Sequence, residues 1–368
     1  MDLRKFEVEI RKTGFHLEHQ VASLLRSAGW TVISNKYYVD DQEDAVREMD
    51  LVAYRVKKLH DFRVVTTLII SCKKSEKNVW ALLARSRNRK DPNVDWWPVH
   101  VWSNVRAASF AQTQQEWREQ YHERARKLGV ERALADPEID IFAHQEMNRD
   151  SGAPQNDKPI FASVTSLMKA QSYELDALPQ RKKTPSVYQF NLLAVVDADL
   201  VRVHFDGSKV VASPVTDEQY VARYIIKRKD MFARIHFVNI DEFPKLLEDY
   251  GRLHVANGAI FSEDKEAFYR NILADNNRVS VFFEDFSKAV LWTLSARLRQ
   301  HETGHADLDY VSLSWNEKDG RANVCIATSD EAIEFLSGDA RAREVVARAL
   351  KRIYRYEGPF EFAWDIPF

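Results

Sequence analysis

The amino-terminal part of the chain has the clearest pattern of apolar and polar positions. Apolar residues recur there at helical spacing and predict a helix with one apolar face. They are Leu17, Val21, Leu24 and Leu25. Gly29 follows where a helix commonly ends, because glycine adopts positive φ without steric cost. The next runs are rich in Val, Ile, Thr and aromatic residues, and they predict three strands: Trp30–Tyr38, Met49–Val56 and Val64–Cys72.

The pattern then predicts a further mixture of helices and strands. Residues 104–146 and 159–176 have helical character. The remaining predicted elements are strand Val187–Asp197, a hairpin of Leu200–Phe205 and Lys209–Ser213 around Asp206-Gly207, strand Ala233–Asn239 and helix Ile240–Tyr250. We therefore predict one α/β (α+β) domain over residues 1–250 with a helical insertion at about 104–176. The hairpin and the later strand are expected to extend its sheet.

Residues 255–368 predict a carboxy-terminal α/β accessory module. Two helical segments precede two alternating strands, and Thr328 with Glu331 fits the N-cap of a further helix. The tail, residues 358–368, is rich in aromatic residues. We expect it to pack on the body of the protein, and a tail that binds a partner is the alternative, since exposed aromatic patches mark interfaces. This module is also the expected site of homo-oligomer or protein-partner contacts.

Composition narrows the class of protein. The chain has 368 residues, a formal net charge of −2 and two cysteines, Cys72 and Cys325. The low cysteine count predicts a reducing, cytoplasmic environment rather than a disulfide framework. No apolar run approaches the roughly 20 residues of a membrane-spanning helix, so no membrane contact is expected. Without a basic net charge, any nucleic-acid contact must come from local basic patches.

Three ionisable residues stand at notable places in the first predicted elements. Glu18 lies on the opening helix, Asp50 begins the second strand, and Lys73 ends the third. This order resembles the PD-(D/E)XK nucleases, the restriction-endonuclease-like superfamily, and is most similar to their Mrr-like branch. The resemblance covers about a fifth of the chain. It implies a restriction-endonuclease-like core, a mixed sheet flanked by helices.

The resemblance also implies a function and a site. Asp50 and Glu18 would hold Mg²⁺ or Mn²⁺ together with the backbone carbonyl of Cys72, and Lys73 would be the catalytic lysine. Carboxylate and carbonyl oxygens are the ligands that hard cations prefer. The implied activity is metal-dependent hydrolysis of phosphodiester bonds in DNA, with RNA as an alternative substrate. A role in defence against foreign DNA or in repair would follow by analogy alone.

One position departs from the family pattern. The motif requires an acid two residues before the lysine, and this chain has Ser71. Either another acid replaces it or the protein has lost cleavage and binds nucleic acid or a protein partner. The candidate replacement acids are Glu76, Glu48, Asp40, Asp41 and Glu43.

Basic residues form two clusters that could bind a phosphate backbone. The first follows the third strand, and we predict a helix for Lys77–Lys90. The candidates for nucleic-acid binding are Lys74, Lys77, Arg85, Arg87, Arg89, Lys90, Lys227, Arg228 and Lys229. A solvated charged face is the alternative interpretation of such clusters. Trp96, Trp97 and Trp102 more often cap a core than stack on bases.

A second motif points to a different chemistry. His301-Glu302-Thr303-Gly304-His305 fits the H-E-x-x-H pattern of zinc proteases. Gly304 weakens a helix at this point, by about 1 kcal/mol. No third ligand follows at a recognisable spacing, so metalloprotease is a minor hypothesis.

Overall fold

A computed structural model describes residues 3–40, 44–301 and 308–364. The chain forms two compact units, Met1–Glu263 and Asp264–Phe368. The boundary falls inside a long helix, later than the predicted break after residue 250. The mixed α/β class expected from the sequence is confirmed, since helices and mixed sheets alternate along the chain.

The elements are numbered in chain order. The strands are β1 Thr31–Asp40, β2 Ala45–Lys58, β3 Arg63–Lys74, β4 Asn78–Ser86, β5 His100–Ser103, β6 Ile139–Asn148, β7 Ser186–Asp197, β8 Leu200–Asp206, β9 Lys209–Val215, β10 Asp217–Ile226, β11 Lys229–Asn239, β12 Val311–Asn316, β13 Arg321–Ile326 and β14 Phe360–Trp364. The helices are α1 Arg4–Ile10, α2 Gly14–Ser27, α3 Arg106–Gln112, α4 Trp117–Lys127, α5 Lys158–Arg181, α6 Phe243–Tyr269, α7 Asn276–Ser280, α8 Phe283–Gln300, α9 Asp330–Gly338 and α10 Ala340–Ala349.

The first unit is built on a mixed sheet with strand order β1-β2-β3-β7-β11-β10, and β5 pairs with β7. Strands β1, β2 and β3 are antiparallel neighbours, whereas β3 and β7 run parallel. A parallel pair needs a long connection, and here it contains α5. Val64 to Cys72 is buried throughout, because β3 is central and both of its faces are covered.

Helices cover both faces of this sheet. On one face, Leu17, Val21 and Leu25 of α2 pack in a core that also contains residues of α4 and α6. On the other face, Ile160 and Leu167 of α5 pack in a second core against the inward side chains of the strands. The predicted apolar face of α2 is therefore the buried one, and Gly29 adopts a φ of +79° just after the helix.

The basic segment after β3 is a strand, so the helix predicted over Lys77–Lys90 is wrong. Val79 to Ala84 is a continuous apolar run, in which Trp80, Leu82 and Ala84 are fully buried. A short buried run of this kind fits a strand as well as a helix, and the charged residues that flank it obscured the strand. β4 pairs antiparallel with β6 and parallel with β8, and the separate sheet has the order β6-β4-β8-β9.

This second sheet changes two further predictions. The insertion at 104–176 is not wholly helical, because Ile139–Asn148 forms strand β6. The β8–β9 hairpin is present as predicted, but it belongs to the second sheet rather than extending the first. The strand that does extend the first sheet beside β11 is β10, which the sequence pattern did not reveal.

A buried carboxylate fastens the segment after α4 to α6. Asp249 accepts backbone hydrogen bonds from Glu131, Arg132 and Ala133, at 3.2, 2.8 and 2.6 Å. Its Oδ1 also accepts two bonds from the Arg252 guanidinium, at 2.9 and 2.7 Å. Burial alone raises the pKa of Asp249, but these donors outweigh it and leave the pKa below its ordinary value.

The second unit contains a three-stranded sheet of order β12-β13-β14, with α8, α9 and α10. Ser329, not Thr328, caps α9, and its hydroxyl accepts a hydrogen bond from the Ala332 backbone at 3.3 Å. The described part of the aromatic tail forms β14 and pairs parallel with β13, so the tail packs on its own unit as expected. None of the helices in the described ranges has both the length and the apolar character needed to cross a membrane.

Candidate active site

Asp50 and Lys73 meet at one end of the central strands. Lys73 Nζ lies 3.1 Å from Asp50 Oδ2 and 3.2 Å from the backbone oxygen of Cys72. The same Asp50 oxygen accepts hydrogen bonds from the Cys72 backbone N–H at 2.7 Å and from Ser71 Oγ at 3.3 Å. Both side chains of the ion pair are about a quarter exposed, at 30% for Lys73 and 22% for Asp50. Both side chains are therefore in contact with solvent.

The strand register explains why these residues meet. β2 and β3 pair antiparallel with Leu51 opposite Ile70, so Asp50 near the start of β2 lies beside Ser71 near the end of β3. The apolar runs that follow Asp50 and precede Ser71 are buried. The core therefore fixes the strands, and Lys73 lies just past the buried stretch of β3, beside the half-buried Asp50.

Glu18 approaches this pair from α2. Burial raises the pKa of Glu18 first, and the negative charge of Asp50 raises it further, while Lys73 opposes the shift. Burial, followed by the charges of Asp50 and Glu18, also raises the pKa of Cys72 well above its ordinary value, so its thiol stays protonated. The structure thus brings the three predicted catalytic side chains into one electrostatically coupled group.

Glu48 is a replacement candidate that is electrostatically coupled to this group. Its charge is among the causes that raise the pKa of Glu18, and its carboxylate accepts a hydrogen bond from the Asn35 side chain. Asn35 itself was missed by sequence reasoning. Its backbone φ is 53°. In the β1–β2 pairing, Ser34 lies opposite Leu51 and Lys36 opposite Met49, so Asn35 lies across from Asp50. A left-handed residue inside a strand is unusual and is often found at functional sites.

Two other candidate acids, Asp40 and Glu76, form ion pairs with lysines outside this group. Asp40 is buried and pairs with Lys169 of α5 at 2.7 Å, so it is not available to the site. Glu76 is exposed and pairs with Lys74 at 3.4 Å. Asp41 and Glu43 lie outside the described residues.

The oxygen atoms that the site offers determine how a metal ion could be held. Within residues 3–40, 44–301 and 308–364, no group of three or more His, Cys, Asp or Glu side chains is placed to hold a metal ion. Two carboxylates and the Cys72 carbonyl are what the site offers. Mg²⁺ keeps several waters and commonly binds one or two carboxylates plus substrate phosphate, so these residues fit a weakly held, hydrated ion. The Lys73 ammonium already lies against two of these oxygens, which shows that they favour a cation.

The first basic cluster is largely occupied by ion pairs. Arg87 is buried, binds Asp136 at 2.5 Å and stacks on Trp96 and Trp97. Trp96 is buried there, in agreement with the interpretation of these tryptophans as part of a core. The other paired candidates are Lys74 with Asp197 at 2.9 Å, Arg85 with Asp140 at 2.8 Å and Arg89 with Asp136 at 2.8 Å. Lys77 and Lys90 are exposed and have no ion pair in the described part of the chain.

The second basic cluster forms the tip of the β10–β11 hairpin. Lys227 and Arg228 both adopt left-handed backbone, with φ of 51° and 60°, as a two-residue hairpin turn with positive φ at both central positions requires. Lys227 pairs with Asp176. Arg228 and Lys229 are exposed and have no ion pair with any residue that the structure describes. Four predicted cations are thus left for an external anion.

Of the H-E-x-x-H pattern, Glu302 to His305 lie outside the described residues. His301 directly follows α8, and its ring contacts that of Phe335 in a tilted arrangement, with 4.0 Å between ring centroids.

Comparisons with protein-family models, with curated proteins and with solved structures found no match for this chain. The interpretation of the site therefore depends on its own geometry.

Proposed function

We propose that this protein is a metal-dependent endonuclease of the PD-(D/E)XK type that hydrolyses phosphodiester bonds in DNA. The observation that carries the proposal is the contact of Lys73 Nζ with both Asp50 Oδ2 and the Cys72 carbonyl, at 3.1 and 3.2 Å. The strand arrangement around it supports the proposal. A mixed sheet flanked by helices, with a helix before the first strands, is the core that the resemblance implies, although a strand and not a helix follows the lysine-bearing strand.

Each residue has a role that its position allows. Asp50 and Glu18 would hold Mg²⁺ or Mn²⁺ with the Cys72 carbonyl. When bound, the metal would neutralise phosphate charge and lower the pKa of a coordinated water. Lys73 would place an ammonium against the scissile phosphate and stabilise the charge that develops on its oxygens. Glu48, held by Asn35, would supply the negative charge that Ser71 lacks.

DNA would be positioned by the exposed, unpaired cations. Lys77, Lys90, Arg228 and Lys229 can each neutralise a phosphate without first breaking an ion pair in the described chain. Arg87 is excluded from this role because its side chain is only 2% exposed. We also propose a cytoplasmic location, which the free thiols of Cys72 and Cys325 support. The second unit would be the accessory module.

A nuclease-like protein without cleavage is the second candidate. Two observations favour it. Ser71 provides a hydroxyl 3.3 Å from Asp50 Oδ2 where an acid is expected, and no three-ligand group occurs among the described residues. In that case Lys73 would neutralise Asp50, and the exposed cations would bind nucleic acid without hydrolysis.

Cleavage of supercoiled plasmid distinguishes the two candidates. Purified protein is incubated with Mg²⁺, with Mn²⁺ or with EDTA, beside Asp50→Ala and Lys73→Ala. Metal-dependent nicking by the wild type, lost in both variants, would establish the nuclease. DNA binding without cleavage in either metal would support the second candidate, a nuclease-like protein that binds nucleic acid and does not hydrolyse it.

A control variant separates loss of chemistry from loss of structure. Asp206 is exposed at the end of β8, away from the site strands, so Asp206→Ala should cleave like the wild type. A single-stranded DNA and an RNA substrate in the same assay would define the substrate class.

A further inference from the structure

A cleft of about 460 Å³ lies on the strands that carry the candidate active site, but toward their other ends. Its floor is formed by β1, β2, β3 and β7, and the last turns of α5 form one wall. Asp50 and Lys73 do not line it. Its volume is within the range of about 300–1,000 Å³ that small-molecule sites occupy.

The floor of the cleft offers flat apolar surfaces. Tyr188 of β7 is partly exposed in the cleft, and its ring stacks on the buried Phe190 with ring planes at 23° and centroids 6.4 Å apart. Tyr54 of β2 contributes a third ring. Aromatic rings arranged in this way can hold a planar group by stacking.

The rim of the cleft is strongly cationic. Four cationic side chains and one carboxylate line it: Lys36, Arg63, Arg181, Lys182 and Glu174. The carboxylate is already neutralised, because Glu174 binds Lys36 at 2.7 Å and Arg181 at 3.0 Å. It therefore does not repel an incoming anion as a free carboxylate would.

Two of these cations are available to a ligand. Arg63 is exposed at the start of β3 and makes no side-chain hydrogen bond or ion pair with any residue that the structure describes. Lys182 is exposed just after α5, and its Nζ lies 5.9 Å from the Tyr188 ring centroid. A free guanidinium is well suited to phosphate, because its planar donors bind two oxygens at once.

We propose that this cleft binds a nucleotide, with the phosphate on Arg63 and Lys182 and the base against the partly exposed rings of Tyr54 and Tyr188. The nucleotide is either free or part of a single strand. The net positive rim matches a phosphate, and the aromatic floor matches a base. This site is distinct from the candidate active site and does not depend on hydrolysis.

Equilibrium binding tests the proposal. The probes are the 5′-monophosphates of adenosine, guanosine, cytidine and thymidine, and a short oligothymidylate. All titrations use the Lys73→Ala protein in EDTA, so that phosphate bound at the active site does not contribute. Arg63→Ala in this background should weaken binding by about tenfold or more, since it removes hydrogen bonds to a charged group.

The control variant removes a side chain that matches Arg63 in charge and exposure. Lys209 is an exposed cation on β9 of the other sheet, with no partner among the described residues, so Lys209→Ala should bind like its parent. Because Arg63 is exposed and makes no side-chain hydrogen bond or ion pair there, its variant should fold normally.

Each outcome decides the matter. Binding of a mononucleotide that Arg63→Ala weakens and Lys209→Ala does not would support a free nucleotide as the ligand. The same pattern for the oligothymidylate alone would support a nucleotide within a strand. Failure of every probe to bind at millimolar concentration, or binding that is equal in Arg63→Ala, would overturn the proposal.

Discussion

Asp249 holds the segment after α4 against α6, and Asp249→Asn tests how much the first unit depends on that contact. The carboxylate accepts five hydrogen bonds, three from backbone N–H groups of residues 131–133 and two from Arg252. The substitution keeps the shape of the side chain but replaces one acceptor oxygen by a donor group.

The loss of stability in Asp249→Asn follows from the donors that surround the side chain. In the variant, the side-chain oxygen can keep the hydrogen bonds from the Arg132 and Ala133 backbones. The new NH₂ group then replaces the oxygen that accepted from the Glu131 N–H and the Arg252 guanidinium, so donors face donors. An unsatisfied buried N–H costs about 1–3 kcal/mol, and the retained bonds lose the benefit of a charged acceptor. Arg252 is 46% exposed and can bind water instead. We expect the free energy of unfolding to fall by about 3 kcal/mol.

Thermal unfolding measures this loss. With about 2–4 °C for each kcal/mol in a domain of this size, the Tm of the first unit should fall by about 6–12 °C. Asp206→Asn, a change at an exposed aspartate, should stay within about 0.5 kcal/mol of the wild type.

The pH dependence provides a second check. The pKa of Asp249 is lowered in the folded protein, so its stabilisation is present above the unfolded value of about 3.9 and is lost as the pH falls through the folded value. The difference between wild type and Asp249→Asn should therefore narrow in acid. Equal Tm values for Asp249→Asn and Asp206→Asn at neutral pH would refute the reasoning.

Four further substitutions give distinct outcomes. Asp40→Asn leaves Lys169 without its counter-charge between β1 and α5 and should lower the free energy of unfolding by about 3–5 kcal/mol in a urea titration. Ser71→Asp adds a buried carboxylate to the candidate site, so its Tm should fall in EDTA and recover in Mn²⁺; a Tm indifferent to Mn²⁺ would contradict the metal site. Binding titrations at several salt concentrations compare Lys90→Ala with Arg87→Ala. Lys90→Ala should lower the slope of log binding constant against log salt concentration by about one phosphate contact. Arg87→Ala should leave that slope unchanged and lower the stability of the protein, because the Arg87 side chain is buried.

The sequence predicted the elements whose pattern was local and strong. The α2 face, the strands β1 to β3 and the helix-borne position of Glu18 follow from periodicity and apolar runs. The proximity of Asp50 and Lys73 follows from the same strands, because an antiparallel neighbour brings the start of one beside the end of the other. These parts required no knowledge of distant contacts.

The rest depended on tertiary partners. β4 has charged residues around a short apolar run, and it is stabilised by pairing with β6 and β8. The burial of Arg87 depends on Asp136 and two tryptophans, so its sequence context alone indicated an exposed cation. The left-handed turn at Arg228 contains no glycine or asparagine that would predict it from the sequence. The pairing of β10 with β11 enforces the turn instead.

The rate of plasmid nicking in Asp50→Asn tests the central claim most directly. This variant keeps the size of the side chain but removes the charge that faces Lys73 at 3.1 Å. In saturating Mg²⁺ and at equal DNA binding, the account predicts measurable nicking by the wild type and a rate at least about a hundredfold lower in the variant. Equal nicking by both proteins would show that the activity comes from another site or a contaminant, and would contradict the account.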